Sequence, residues 1–143
     1  MNILVTGGSG FIGSHLVDSL EDKHNVKVLD IVNPYRNDIN FINANILDFK
    51  SLVTAMKNID TVYHLAAYPD INNASSYPLE FLDTNIKGTL NVLEAARKNN
   101  VKRIIFSSSV WVYSTTEKSV VKESTILNPS KSNHLFTLSK IIS

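Results

Sequence analysis

There is no cysteine in these 143 residues. Disulfides and thiolate metal sites are thereby excluded, and the chain suits a reducing compartment, with the cytoplasm as the expected location. There is no run long and apolar enough to span a bilayer. Nor is there a charged leader: Met1-Asn2 passes directly into Ile3-Leu4-Val5, so no signal peptide is expected. Charge of one sign is lacking too. Fourteen Lys and Arg against 13 Asp and Glu leave a net charge of +1, which exerts no general pull toward nucleic acid or membrane. The four histidines, His15, His24, His64 and His134, have no metal-ligand spacing, so no metal site is expected. Repeats and low-complexity segments are missing as well. What remains is an ordinary globular composition, 43% apolar and 19% charged, read as one domain over residues 1–143.

Against that plain background one stretch carries chemistry. Gly7, Gly10 and Gly13 stand in G-x-x-G-x-x-G spacing between an apolar run, Ile3-Leu4-Val5, and a segment whose Phe11, Ile12, His15, Leu16 and Leu20 read as one helix face. A strand, a glycine turn and a helix start make a cradle for a diphosphate. The turn lets the backbone approach the phosphates, and the helix N-terminus offers free N–H groups. A second strand, Val26-Lys27-Val28-Leu29, ends at Asp30, 17 positions beyond Gly13. A carboxylate at that place accepts from both ribose hydroxyls of a dinucleotide and repels a 2′-phosphate, which favours NAD over NADP. His15 and His64 read as packed or cofactor-adjacent.

Strands and helices alternate onward. Phe41 to Ala44 reads as a third strand, Asp48 as the N-cap of a helix over Phe49 to Met56, and Thr61 to Leu65 as a buried fourth strand. A loop spans Pro69 to Ser76. Pro78 starts a long helix to about Asn99, with Phe81, Leu82, Ile86, Leu90, Val92, Leu93 and Ala96 at helical spacing. Arg103 to Phe106 is the fifth strand. The pattern βαβαβαβαβ predicts a Rossmann-type, doubly wound parallel α/β sheet in the order 3-2-1-4-5, its ligand crevice at the carboxyl ends of strands 1 and 4. Residues 114–134 read as polar and irregular.

The glycine turn, Tyr63-His64-Leu65-Ala66-Ala67, Asn85-Ile86-Lys87-Gly88-Thr89 and Phe106-Ser107-Ser108-Ser109 occur in order. Together they resemble the extended short-chain dehydrogenase/reductase family, in particular its NAD-dependent nucleotide-sugar epimerases and dehydratases. The resemblance covers nearly the whole chain. It implies NAD as cofactor and a nucleotide-sugar as substrate, with isomerase or oxidoreductase chemistry. It implies that Gly7, Gly10, Phe11, Ile12 and Gly13 hold the pyrophosphate and Asp30 the adenosine ribose. Asn45 and Ile46 would lie beside the adenine, Asn45 standing where the family has an aspartate. Leu65, Ala66 and Ala67 would line the cofactor, Asn85 would support the active site, and Ser107 would lie toward the nicotinamide. Gly88 would let its helix pack close to the sheet. Ser109 matches the catalytic Ser/Thr and Lys140 the lysine that binds the nicotinamide ribose. The helix at 78–99 would form a homodimer face, together with the helix beginning near residue 136.

Two departures follow from the same resemblance. The family's Tyr-x-x-x-Lys pair is here Phe136-Thr137-Leu138-Ser139-Lys140. Phenylalanine has no oxygen to carry a proton, and His134 lies two positions away, on another face of a helix. Ser114 also replaces the usual glycine after Val-Tyr. The second departure is length: the family continues with further strands and a smaller substrate-binding domain. The expectation is an incomplete NAD-binding domain, catalytically impaired, with a non-enzymatic NAD-binding or interaction protein as the alternative.

Overall fold

The computed structural model describes residues 1–68, 74, 76–117, 119–132 and 134–143. Five strands form one parallel sheet: β1 (Asn2–Thr6), β2 (Asn25–Asp30), β3 (Phe41–Asn43), β4 (Thr61–His64) and β5 (Arg103–Phe106), in the order β3-β2-β1-β4-β5. The expected order and the Rossmann-like class are both found. Side chains that alternate across a strand feed two cores. Leu4, Leu29 and Val62 point to one face, where Leu52 and Met56 near helix α2 (Phe49–Ala55) and Val92 and Ala95 of helix α4 (Gly88–Lys98) cover them. Ile3, Val5, Val26 and Val28 point to the other, against Val17 of helix α1 (Phe11–Glu21). Asp48 caps α2 as expected, its carboxylate accepting from the N–H groups of Lys50 and Ser51. The expected loop at Pro69 to Ser76 lies mostly outside the described residues. Among those described, no helix is long and apolar enough to cross a membrane.

Three sequence expectations are corrected. The strict βαβαβαβαβ alternation fails at the β2–β3 connection, residues 31–40, a polar segment with Asn33-Pro34 that contains no helix. It is held to α1 instead by Tyr35 Oη donating to the Asp18 carboxylate at 2.6 Å and by Arg36, which pairs with Glu21 and lies 3.5 Å from both Asp18 and Asp38. Ile39 of this segment is buried in the core with Val26 and Val28. Second, α1 does not bury Phe11, Ile12 and His15. Gly13 and Val17 are its buried positions, whereas Phe11 and Ile12 are 83% and 65% exposed. The helix start is pressed so tightly on the glycine turn that bulky side chains there must turn outward.

Third, the helix from Pro78 is not regular. Helix α3 (Pro78–Leu82) passes into a π turn (Asp83–Lys87) before α4 begins. Nor is its buried face the leucine-rich one. Phe81, Asn85, Gly88, Thr89, Val92, Ala95 and Ala96 are buried, and Leu79, Leu90 and Leu93 are exposed. Small residues win the inner face because they let the helix approach the sheet layer. A Cβ on Gly88 would meet Ile46 Cδ1 at 2.5 Å, so the close approach there is to the segment after β3 and not to a strand. Helix α5 (Leu135–Ile142) lies near the π turn, and two 3₁₀ turns, Val110–Thr115 and Pro129–Lys131, interrupt the region read as irregular.

Candidate functional site

The glycine turn is held by backbone contacts on both sides. Gly7 N–H donates to Leu29 C=O of β2 at 2.9 Å, and Gly10 N–H to Gly7 C=O at 3.2 Å. Gly7 adopts φ +74°, and a Cβ there would meet Ala66 N at 2.5 Å. Only glycine serves both demands. Gly13 is excluded from bearing a side chain by the turn itself, since its Cβ would meet Gly7 O at 2.2 Å. Gly10 differs: a Cβ there would meet Gly7 O at 3.4 Å and nothing nearer. It is the N-cap of α1, with no side-chain cap bond and no acidic residue in the first turn. The helix start thus faces outward with uncompensated N–H groups, flanked by the exposed rings and chains of Phe11 and Ile12.

Asp30 closes this mouth from the β2 side. Its Oδ2 accepts from Ser9 N–H at 3.0 Å and its Oδ1 from Val32 N–H at 3.1 Å. A carboxylate has about four acceptor positions, so both oxygens keep capacity for a ligand hydroxyl. Ser9, which the sequence reading passed over, lies in the turn and ties it to Asp30. Its Oγ is buried without a partner among the described residues. Asn45 is exposed and its Oδ1 accepts from Leu47 N–H at 2.9 Å. Ile46 is 4% exposed and sits in the core against Gly88, while its carbonyl accepts from Asn91 at 3.1 Å. Leu65, Ala66 and Ala67 continue β4 at the half-buried floor of the crevice, Leu65 N–H donating to Thr6 C=O.

Behind that floor is a buried polar group of side chains. His64 is 1% exposed, its Nδ1 2.7 Å from Thr6 Oγ1 and its Nε2 3.0 Å from Thr89 Oγ1. Burial, with the Lys140 charge adding to it, pushes the imidazole down to about 4. Asn85, buried in the π turn, accepts from Tyr68 N–H at 2.8 Å, donates to Tyr68 C=O at 3.3 Å and reaches Ser139 Oγ at 3.5 Å. It fixes the strand exit and α5 to one another. Single π turns are frequent where a helix must present a side chain for function.

Lys140 projects from α5 to the end of β5. Its Nζ donates to Ser107 C=O at 2.8 Å and lies 4.7 Å from the Phe106 ring centroid and 5.9 Å from that of Phe136. Burial lowers its ammonium below the usual lysine range. Ser109 caps the 3₁₀ turn, its Oγ accepting from Trp111 N–H at 3.2 Å. Thr137 of α5 reaches Trp111 C=O at 3.5 Å, so the Ser109 loop and the Lys140 helix are joined. The Phe136 ring packs edge-on to Phe81 at 6.4 Å, while His134 precedes α5 and packs on Trp111 at 5.8 Å. Phe136, His134, Trp111 and Thr137 line a cavity of about 30 Å³. Thus Ser107, Ser109, Phe136 and Lys140 gather at one end of the crevice, and Gly7, Gly10, Gly13 and Asp30 at the other. Among the described residues no group of three or more His, Cys, Asp or Glu could hold a metal.

Comparison with known proteins matches this arrangement. The chain is 36% identical over 137 residues to the UDP-glucose 4-epimerase of Lactobacillus helveticus, covering 90% of this chain and 42% of the relative. It superposes with a TM-score of 0.87 and 33% identity on the UDP-N-acetylglucosamine 4-epimerase of Methanobrevibacter ruminantium in complex with UDP-N-acetylmuramic acid, covering 98% of this chain and 47% of that one. The UDP-glucose 4-epimerase of Bifidobacterium longum in complex with NAD⁺ and UDP gives a TM-score of 0.87 at 29% identity, covering 99% and 46%. The chain therefore spans less than half the length of these relatives. Residues 3–143 match the family model itself. With the glycine turn, the closing aspartate and the strand order all in agreement, the chain belongs to the NAD dependent epimerase/dehydratase family.

Proposed function

We propose that this chain binds NAD in the crevice at the carboxyl ends of β1 and β4. The observation that carries the reading is the glycine mouth. Uncapped α1 amides, the open space at Gly10 and the Asp30 carboxylate, which Ser9 N–H ties to the turn, stand together there. The diphosphate would rest on Gly7, Gly10, Phe11, Ile12 and Gly13. Asp30 would take the adenosine ribose, and Asn45 and Ile46 would flank the adenine. The Asn45 amide oxygen is neutral and already accepts from Leu47 N–H, so its contact would be weak. Leu65, Ala66, Ala67 and Ser107 would line the rest. Lys140 Nζ has three donors, so it can keep Ser107 and still donate to a ribose hydroxyl. NADP is disfavoured: Asp30 would repel a 2′-phosphate, and the nearby arginine, Arg36, is already held by Asp18, Glu21 and Asp38.

The bound dinucleotide would supply hydride exchange with a nucleotide-sugar. This chain's own residues would do less. Ser109 can hydrogen-bond a sugar hydroxyl, but Phe136 offers no proton acceptor where the family's tyrosine stands. Loss of general acid–base catalysis lowers rates by about 10²–10⁴-fold. We therefore read the chain as an NAD-binding domain impaired in nucleotide-sugar turnover. A non-enzymatic role in binding NAD or a partner is the alternative, and a homodimer is compatible with either. Leu79, Leu90 and Leu93 are exposed apolar side chains on α3 and α4, surface that a homodimer could cover. Calorimetric titration with NAD and NADP, followed by assay of UDP-glucose and UDP-N-acetylglucosamine, tests both halves. Binding of NAD without turnover is expected. Absence of NAD binding at millimolar levels would end the reading, and turnover would end the impairment.

A further inference from the structure

We infer that His64 is a positioning residue: as its Nε2–H tautomer it completes a one-way hydrogen-bond chain, Thr6 to His64 to Thr89 to Asn85, that holds the glycine turn in register with the π turn and α5. The direction follows from proton counting. Thr89 Oγ1 lies 2.6 Å from Asn85 C=O, which can only accept, so the single Thr89 hydroxyl proton is spent there. Thr89 Oγ1 must then accept from His64 Nε2 at 3.0 Å, and that nitrogen carries the proton. A neutral imidazole has one N–H, so Nδ1 accepts from Thr6 Oγ1 at 2.7 Å. Burial in the presence of the Lys140 charge keeps the ring neutral near pH 7. No link is replaceable by water, for Thr6, His64, Thr89 and Asn85 are 0%, 1%, 3% and 3% exposed.

The two ends give the chain its consequence. Thr6 immediately precedes Gly7, and Asn85 holds the Tyr68 backbone and Ser139, the residue before Lys140. Reversing one link would strand a buried donor, which is costly where solvent cannot enter. A well-packed apolar residue in place of His64 would fill the volume but fix no register. The effect on cofactor affinity rests on the NAD reading above, whereas the direction of the chain does not.

The test uses the full ¹⁵N-labelled chain, with His64 ring signals assigned by their loss in His64→Gln. The wild type is expected to show a neutral ring protonated at Nε2. Thr89→Ser should keep that tautomer and the NAD affinity. Thr89→Val, which removes the acceptor and keeps the shape, should move the proton to Nδ1 and raise the NAD dissociation constant about tenfold, as loss of one buried hydrogen bond does. Val92→Ala, a core deletion outside the chain, should change neither. If Thr89→Val does not fold, Thr6→Val replaces it, with the same loss of affinity expected and Nε2 still protonated. A wild-type ring protonated at Nδ1 overturns the proposal. So does a folded Thr89→Val chain with unchanged tautomer and affinity. Failure of the wild type to bind NAD would instead remove the binding reading, leaving the ring spectrum to decide the direction.

Discussion

The two ends of the crevice are made of different material. At the glycine end the groups that would meet a dinucleotide are main-chain amides, empty space and one carboxylate, held by contacts among Gly7, Gly13, Ala66 and Leu29. At the α5 end the proposed chemistry would hang on side-chain heteroatoms of Ser109 and Lys140, and on one that residue 136 lacks. Phe136 still packs on Phe81 and beside Lys140, so the helix is seated without it. Binding built from backbone tolerates most side-chain changes but almost no added atom. Proton transfer built from a hydroxyl survives crowding and is lost by removing one oxygen. One end therefore fails by addition and the other by deletion.

That contrast can be broken most forcefully at Gly13. Gly13→Ala places a Cβ against Gly7 O at 2.2 Å. The expected cost is about 3 kcal/mol, the upper part of the overpacking range, with loss of measurable NAD binding. Denaturant unfolding and calorimetry read both. Comparable in size is acid destabilisation through His64, which joins the two ends. Its folded value is near 4 against about 6.5 unfolded. Below pH 6.5 the unfolded chain takes a proton that the folded chain refuses, so stability falls as pH drops from 6.5 toward 4. The His64 share over that window is about 3 kcal/mol, read as the difference between wild-type and His64→Gln unfolding curves across those pH values.

Smaller effects sharpen the comparison. Asp30→Ala removes the only charged group at the glycine mouth that the binding reading uses. It should weaken NAD by about ten- to a hundredfold, as loss of hydrogen bonds to a charged group does, with the far-ultraviolet circular dichroism unchanged. Smallest is the change at the other end. Phe136→Tyr adds an oxygen where backbone binding does not need one, so NAD affinity should stay within about twofold. Nucleotide-sugar assays of that variant then show whether the hydroxyl alone restores turnover. An inert variant would place the main deficit in substrate binding.

Much of this architecture could be read from the chain. The parallel strands are short, largely apolar runs ended by Gly7, Asp30 and Ser107, and their boundaries fall within a residue or two of expectation. Asp48 announced α2 through its own capping bond. The outward leucines of α3 and α4 could not be read, because helical periodicity reports an apolar stripe and not which stripe is nearer the sheet. Gly88 was legible as a close approach, but its neighbour Ile46 was not. Residues 31–40 were legible as a polar connection, but not that Tyr35 and Arg36 bind it to α1 by side-chain bonds.

From the amino-acid order alone came the strand sequence, the glycine turn with its closing carboxylate, and the missing oxygen at residue 136. Each depends on neighbours in the chain or on the identity of one residue. Tertiary structure alone decided that Ser9 braces Asp30, that Gly88 yields to Ile46, and that His64 stands between Thr6 and Thr89. Those partners are 21, 42, 58 and 25 positions apart. Direction in a buried hydrogen-bond chain is set by which donors and acceptors end up shut away from water together, and no local pattern encodes that.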